Sequence, residues 1–103
     1  MRQIYANIMK SAYQNAIINK IRQARLNKNY SQSHIATLLG ISSGQIGNIE
    51  TPKRTHKYTL AQLSSICDEL DINIENLFLD DTNNFSQEEL IKRLINSIIE
   101  YEK

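Results

Sequence analysis

The chain has 103 residues, which accommodates one small domain with an added element at an end and excludes a second catalytic domain. Its composition, 41% hydrophobic and 22% charged, is that of an ordinary soluble globular protein, and no apolar run approaches the length of a membrane span. The net charge of +1 conceals a division: residues 1–57 carry nine Lys and Arg against Glu50 alone (+8), and residues 58–103 carry three against ten acidic residues (−7).

Sixteen Ile and eleven Asn against three Gly and one Pro favour helices, and helical spacing dominates the chain, so the expected fold is all-α. Ile4, Ile8, Met9, Ala12 and Tyr13 predict a helical extension within residues 1–14. Ile17, Ile21 and Ala24 repeat the pattern as far as Asn27, and the spacing leaves open whether the two segments are one helix or break at Asn15. Ser31 caps a helix through Ile35, Ala36, Leu38 and Leu39, which Gly40 stops. Ser42 caps a shorter one through Ile46 and Ile49, and Pro52 blocks its continuation. A basic loop, Lys53-Arg54-Thr55-His56-Lys57, follows. Thr59 then caps a helix carrying Leu60, Leu63, Ile66, Cys67 and Leu70. Ile72, Ile74, Leu77 and Phe78 mark a brief fifth helix, which closes a main domain over residues 15–79. Residues 80–85 read as a linker. Ser86 and Glu89 form a capping box for a last helix within 86–103, whose Leu90, Ile91, Leu94, Ile95, Ile98 and Ile99 make a broad apolar stripe.

Residues 32–51 make the most specific demands. Two short helices meeting at a tight turn need a small residue where they cross, here Ala36. They also need one that accepts a left-handed backbone, here Gly40. Ile41, Ile46 and Ile49 anchor the second helix to the core, which leaves Ser43, Gly44, Gln45, Gly47 and Asn48 facing outward. The amides of Gln45 and Asn48 both donate and accept, as bidentate reading of adenine in the major groove requires. Lys53, Arg54 and Lys57, beside that helix, suit backbone phosphates.

This ordered set resembles the helix-turn-helix family of phage repressors and Cro, often called the Xre family. The likeness runs over Ile17–Phe78. It takes in IRQAR in the first helix, Ser31-Gln32, Ala36 with Leu39-Gly40-Ile41-Ser42, Ile46 with Ile49-Glu50, Thr59-Leu60, the Leu63 to Ile72 pattern and Asn76-Leu77-Phe78. The resemblance implies a compact five-helix repressor-like DNA-binding domain, extended here at both ends. It also implies that Gln32 contacts the DNA backbone and supports the recognition helix, that Ser42, Ser43, Gly44, Gln45, Gly47 and Asn48 approach bases and nearby phosphates, and that the loop after Pro52 grips phosphates. Arg25 and Glu50 match an internal salt bridge of the family. The chain departs from the pattern at His34, where the family usually has Glu, and at Pro52 and Asp71, where many members have Gly. Gly44 and Gly47 are further departures, each costing about 1 kcal/mol relative to Ala inside a helix. They imply either sparse direct readout, with specificity resting on DNA shape, or close backbone approach to the DNA.

The expected partners are therefore double-stranded DNA and a second copy of the chain, docked through residues 86–102 so that paired units meet paired half-sites. The alternative for the last helix is that it folds back on its own domain beside the N-terminal helix. No catalytic constellation, cofactor, metal site or small-molecule ligand is expected. Cys67 stands alone, His34 and His56 lack ligands at metal spacing, and the glycines fit no phosphate loop of the Walker type. The N-terminus lacks the apolar stretch of a secretion signal, so a cytoplasmic location is expected. Two functions fit: a sequence-specific DNA-binding transcriptional regulator, and a protein-interaction or adaptor module on the same fold that uses the last helix. The charge division favours the first.

Overall fold

A computed structural model describes residues 9–80 and 84–103. Its six helices are α1 (Ala12–Asn27), α2 (Gln32–Leu39), α3 (Ser43–Glu50), α4 (Leu60–Leu70), α5 (Glu75–Phe78) and α6 (Gln87–Glu102). The described residues contain no strand. All but α5 open on a Ser or Thr, namely Ser11, Ser31, Ser42, Thr59 and Ser86, whose side-chain oxygen accepts an otherwise orphaned N–H of the first turn. At Ser11, Ser42 and Thr59 a Gln three residues on returns the bond to the cap backbone, completing a capping box. The box expected at Ser86 is half made: the Glu89 N–H donates to Ser86 Oγ, and the cap is otherwise carried by that bond alone.

Asn15 does not break the first helix. α1 starts at Ala12 and runs through Asn15 to Asn27, so the boundary expected between residues 14 and 15 falls inside a continuous helix. Met9 lies before it and is exposed; Ile4 and Ile8 lie outside the described residues. Half of the linker expected at 80–85 also lies outside them, Asp80, Asn84 and Phe85 being described.

The core sits where α1 to α5 converge. Ile17 and Ile21 of α1 meet Ile35 and Ala36 of α2, Ile46 and Ile49 of α3, Leu63, Ile66 and Leu70 of α4, and Leu77 and Phe78 of α5, all buried. Burial of each large aliphatic side chain stabilises the fold by roughly 1.5–3 kcal/mol. Cys67 is part of this core, and burial pushes its thiol up to about 11. Leu38 of α2 is exposed.

α6 folds back along α1 and α5 and divides its stripe in two. Leu94 and Ile98 pack against the core, with Tyr101 fully buried behind them. Ile91, Ile95 and Ile99, one turn apart, remain 58%, 51% and 52% exposed. Among the described residues, no helix is long and apolar enough to cross a membrane.

Candidate nucleic-acid interface

The turn between α2 and α3 closes because Gly40 adopts φ +69°, a conformation open to glycine without steric penalty. Its backbone N–H reaches back to the last carbonyls of α2, and Ile41 N donates to Ala36 O at 3.0 Å. Ala36 is buried between the two helices, where a larger side chain would force them apart. α3 therefore leaves the turn with its Ile46 and Ile49 face inward and its first turn exposed.

A polar lock fixes the other end of α3. Arg25 of α1 grips Glu50 with both arms of its guanidinium, Nε to Oε2 at 3.0 Å and Nη2 to Oε1 at 2.9 Å, and donates a third bond to Tyr30 O at 2.8 Å. The two side chains are about 95% buried, 6% and 5% exposed. Gln32, opening α2, donates from Nε2 to Glu50 Oε1 at 3.0 Å. One carboxylate thus ties together α1, α2 and α3, in a geometry where a bidentate pair is strongest.

Ser42, Ser43, Gly44 and Gln45 form the exposed first turn of α3, and Gly47 and Asn48 are half-buried one turn later. Gln45 is not an idle surface amide. Its Oε1 accepts the Ser42 N–H at 2.9 Å while its own N–H donates to Ser42 Oγ at 3.1 Å. The carbonyl end of Gln45 is therefore engaged in the cap and its amide donors remain outward, so it presents donors where the sequence suggested a bidentate reader. Neither helical glycine is demanded by packing. A methyl group at Gly44 would meet nothing closer than Ser42 Oγ at 3.8 Å, and one at Gly47 only Gln32 Oε1 at 3.8 Å.

After α3 the chain makes a turn at Thr51–Arg54, with Pro52 second and Arg54 N donating to Thr51 O at 3.2 Å. Lys53 and Arg54 stand exposed on it with no acidic partner among the described residues. Other N-terminal cations are neutralised by the acidic half: Lys20 meets Asp80 at 3.0 Å and Lys28 meets Asp71 at 2.6 Å. Among the described residues of the N-terminal half, the exposed positive charge left without a carboxylate is thereby concentrated beside α3. Lys57 does not join that group. Its ammonium donates to Tyr101 O at 2.9 Å and lies 5.3 Å from the Tyr101 ring centroid, because the last carbonyls of α6 offer it the negative end of a helix.

Three residues at or near the site escaped sequence reasoning. Lys10 inserts its ammonium beneath the loop after α3, and nothing local in the sequence announces a bond across forty residues. Arg22 lines a shallow groove of about 470 Å³ with Asn19, Gln32, Gly47, Thr51 and Pro52, its Nε 4.0 Å from Glu50 Oε1. Tyr101 did leave a signal: it follows Leu94 and Ile98 at helical spacing and shares their face. His34, away from α3, stacks on Tyr30 at 4.0 Å and meets Glu69 at 2.8 Å. Comparison of the chain with family models, with curated proteins and with solved structures finds no match.

Proposed function

We propose that the chain is a sequence-specific DNA-binding transcriptional regulator built on a repressor-like helix-turn-helix, with α3 as its major-groove element. The observation that carries this reading is the juxtaposition of an exposed polar first turn of α3 with Lys53 and Arg54, cations that no carboxylate among the described residues neutralises. The Gln45 donors and Asn48 reach base edges, Gln32 and Ser43 meet the flanking backbone, and the loop cations meet phosphates. The Arg25–Glu50–Gln32 lock supports the reading in another way, since a groove-reading helix must be held rigidly to keep its register.

A single short helix reads too few base pairs for good specificity, so the protein acts as a homodimer on paired half-sites. The exposed Ile91, Ile95 and Ile99 support this, and also fit the alternative, an adaptor that docks a different protein there. Equilibrium binding to mixed-sequence duplex DNA over a salt series separates the two. A regulator loses affinity steeply, with log K falling by roughly 0.9 per neutralised phosphate for each tenfold rise in salt. Weak binding that ignores ionic strength favours the adaptor. Sedimentation that finds only monomer, free and on DNA, removes the homodimer.

A further inference from the structure

We infer that Lys10 is a positioning residue that turns the loop after α3 into a preformed cradle for DNA phosphates, an inference that rests on the DNA-binding reading above. Lys10 is 7% exposed, and its ammonium donates to three backbone carbonyls: Thr51 O at 2.9 Å, Arg54 O at 2.7 Å and His56 O at 2.8 Å. A buried ammonium has three donors and here all three are satisfied by one loop. Burial lowers the Lys10 pKa from its ordinary value, so the loop carbonyls are what make the charged form tolerable there.

The consequence for the opposite side of the loop follows from peptide planarity. In a trans peptide the carbonyl of one residue and the N–H of the next point in opposite directions, and every peptide bond described is trans. With the Arg54 and His56 carbonyls drawn inward onto Lys10, the N–H groups of Thr55 and Lys57 are turned outward. Neither donates to an acceptor among the described residues. At Thr51 the inward carbonyl precedes Pro52, which has no N–H to leave unpaired. The outer face of the loop therefore presents two free amides flanked by the exposed Lys53 and Arg54 side chains, with the Lys10 charge behind them. Two unpaired amides on one side of the loop, with cations beside them, offer an anion both hydrogen bonds and charge, and the anion available beside α3 in this reading is a phosphodiester of duplex DNA.

The test compares Lys10→Met with Lys20→Met, a change that removes the same charge from a lysine paired with Asp80. Binding of each full-length variant to mixed-sequence duplex is measured across a salt series, beside the unaltered protein. Lys10→Met is expected to bind about tenfold more weakly, with the salt slope shallower by roughly two, because Lys53 and Arg54 lose their placement together. Lys20→Met is expected to change affinity less than about threefold and to keep a slope within one of the unaltered protein, as one charge allows. Equal losses in the two variants overturn the positioning role, and so does unchanged binding by Lys10→Met. Failure of the unaltered protein to bind duplex overturns the DNA-binding reading instead. Since Lys10→Met can disturb folding, backbone amide shifts of the unaltered protein are followed by NMR during titration with duplex. Large shifts at Thr55 and Lys57 alongside those of α3 support the cradle. Shifts in α3 with none at Thr55 and Lys57 contradict it.

Discussion

The Tyr101 hydroxyl donates to the backbone carbonyl of Tyr58 at 2.8 Å, joining the last turn of α6 to the residue that follows the basic loop. The same tyrosine sets its ring edge-on to Phe78 at 6.0 Å, and its own carbonyl accepts from Gln14 Nε2 at 2.7 Å and Lys57 Nζ at 2.9 Å. One side chain and one carbonyl thus bind α6 to α1, to α5 and to the segment that follows α3. Tyr101→Ala is expected to destabilise the fold by about 3–5 kcal/mol, the range for emptying a buried aromatic site. Tyr101→Phe is expected to lose only about 1 kcal/mol, that of one hydrogen bond. Tyr58→Phe should instead be neutral or stabilising, since the Tyr58 hydroxyl is buried and has no partner among the described residues. Urea unfolding measures all three, and a Tyr101→Ala protein as stable as its parent would refute this anchoring.

Breaking the Arg25–Glu50 pair from either side leaves a buried charge without its partner. Glu50→Ala is predicted to destabilise by about 3–5 kcal/mol, and replacing both residues with apolar ones of similar size to restore much of that loss. A double-mutant cycle with near-additive effects would show that the pair is not coupled.

Gly44 and Gly47 have room for a methyl group, so the fold does not require them. Gly44→Ala and Gly47→Ala should each stabilise the protein by about 1 kcal/mol through helix propensity. If these glycines let the α3 backbone approach DNA closely, the same changes weaken duplex binding despite the added stability. Stability and affinity rising together would leave sparse side-chain readout as their only meaning.

Alkaline pH should destabilise the protein through its buried acids. Burial raises Cys67 to about 11 and raises Tyr58 and Tyr101 above their ordinary range, so all three keep their protons longer folded than unfolded. Their contribution is complete below the unfolded value, 9.0 for the thiol, and is lost as pH climbs through the folded values. Lys10, lowered by burial, acts in the opposite sense but alone. Midpoints of urea unfolding should therefore fall between pH 9 and 11, and a native Cys67 should resist thiol reagents at pH 8. Rapid labelling of folded protein would contradict its burial.

The helices were legible because their signals are local. Ser31, Ser42, Thr59 and Ser86 each cap a helix whose apolar residues recur at helical spacing, and Gly40 ends α2 in the left-handed conformation its sequence position suggested. The Arg25–Glu50 pair, implied by resemblance, is present at 2.9 Å. What sequence did not yield depends on partners far along the chain. The start of α1 is the exception, a local signal left unread: Ser11 and Gln14 cap the helix ahead of Asn15, which therefore does not break it. Lys57 looks like a surface cation until α6 returns to offer it Tyr101 O. The apolar stripe of α6 could not be apportioned from periodicity, since its spacing is the same for the half that packs on α1 and α5 and the half left exposed.

Selection of bound sites from random duplex DNA bears on the role of α3 more sharply than any variant. A homodimer that reads with α3 enriches a two-fold symmetric site whose halves are centred roughly 10–10.5 base pairs, or a multiple, apart. Enrichment should collapse when Gln45 and Asn48 are both replaced by Ala, while bulk affinity carried by Lys53 and Arg54 persists. Recovery of no sequence preference from the unaltered protein, or of the same site from the doubly substituted one, would contradict reading by α3.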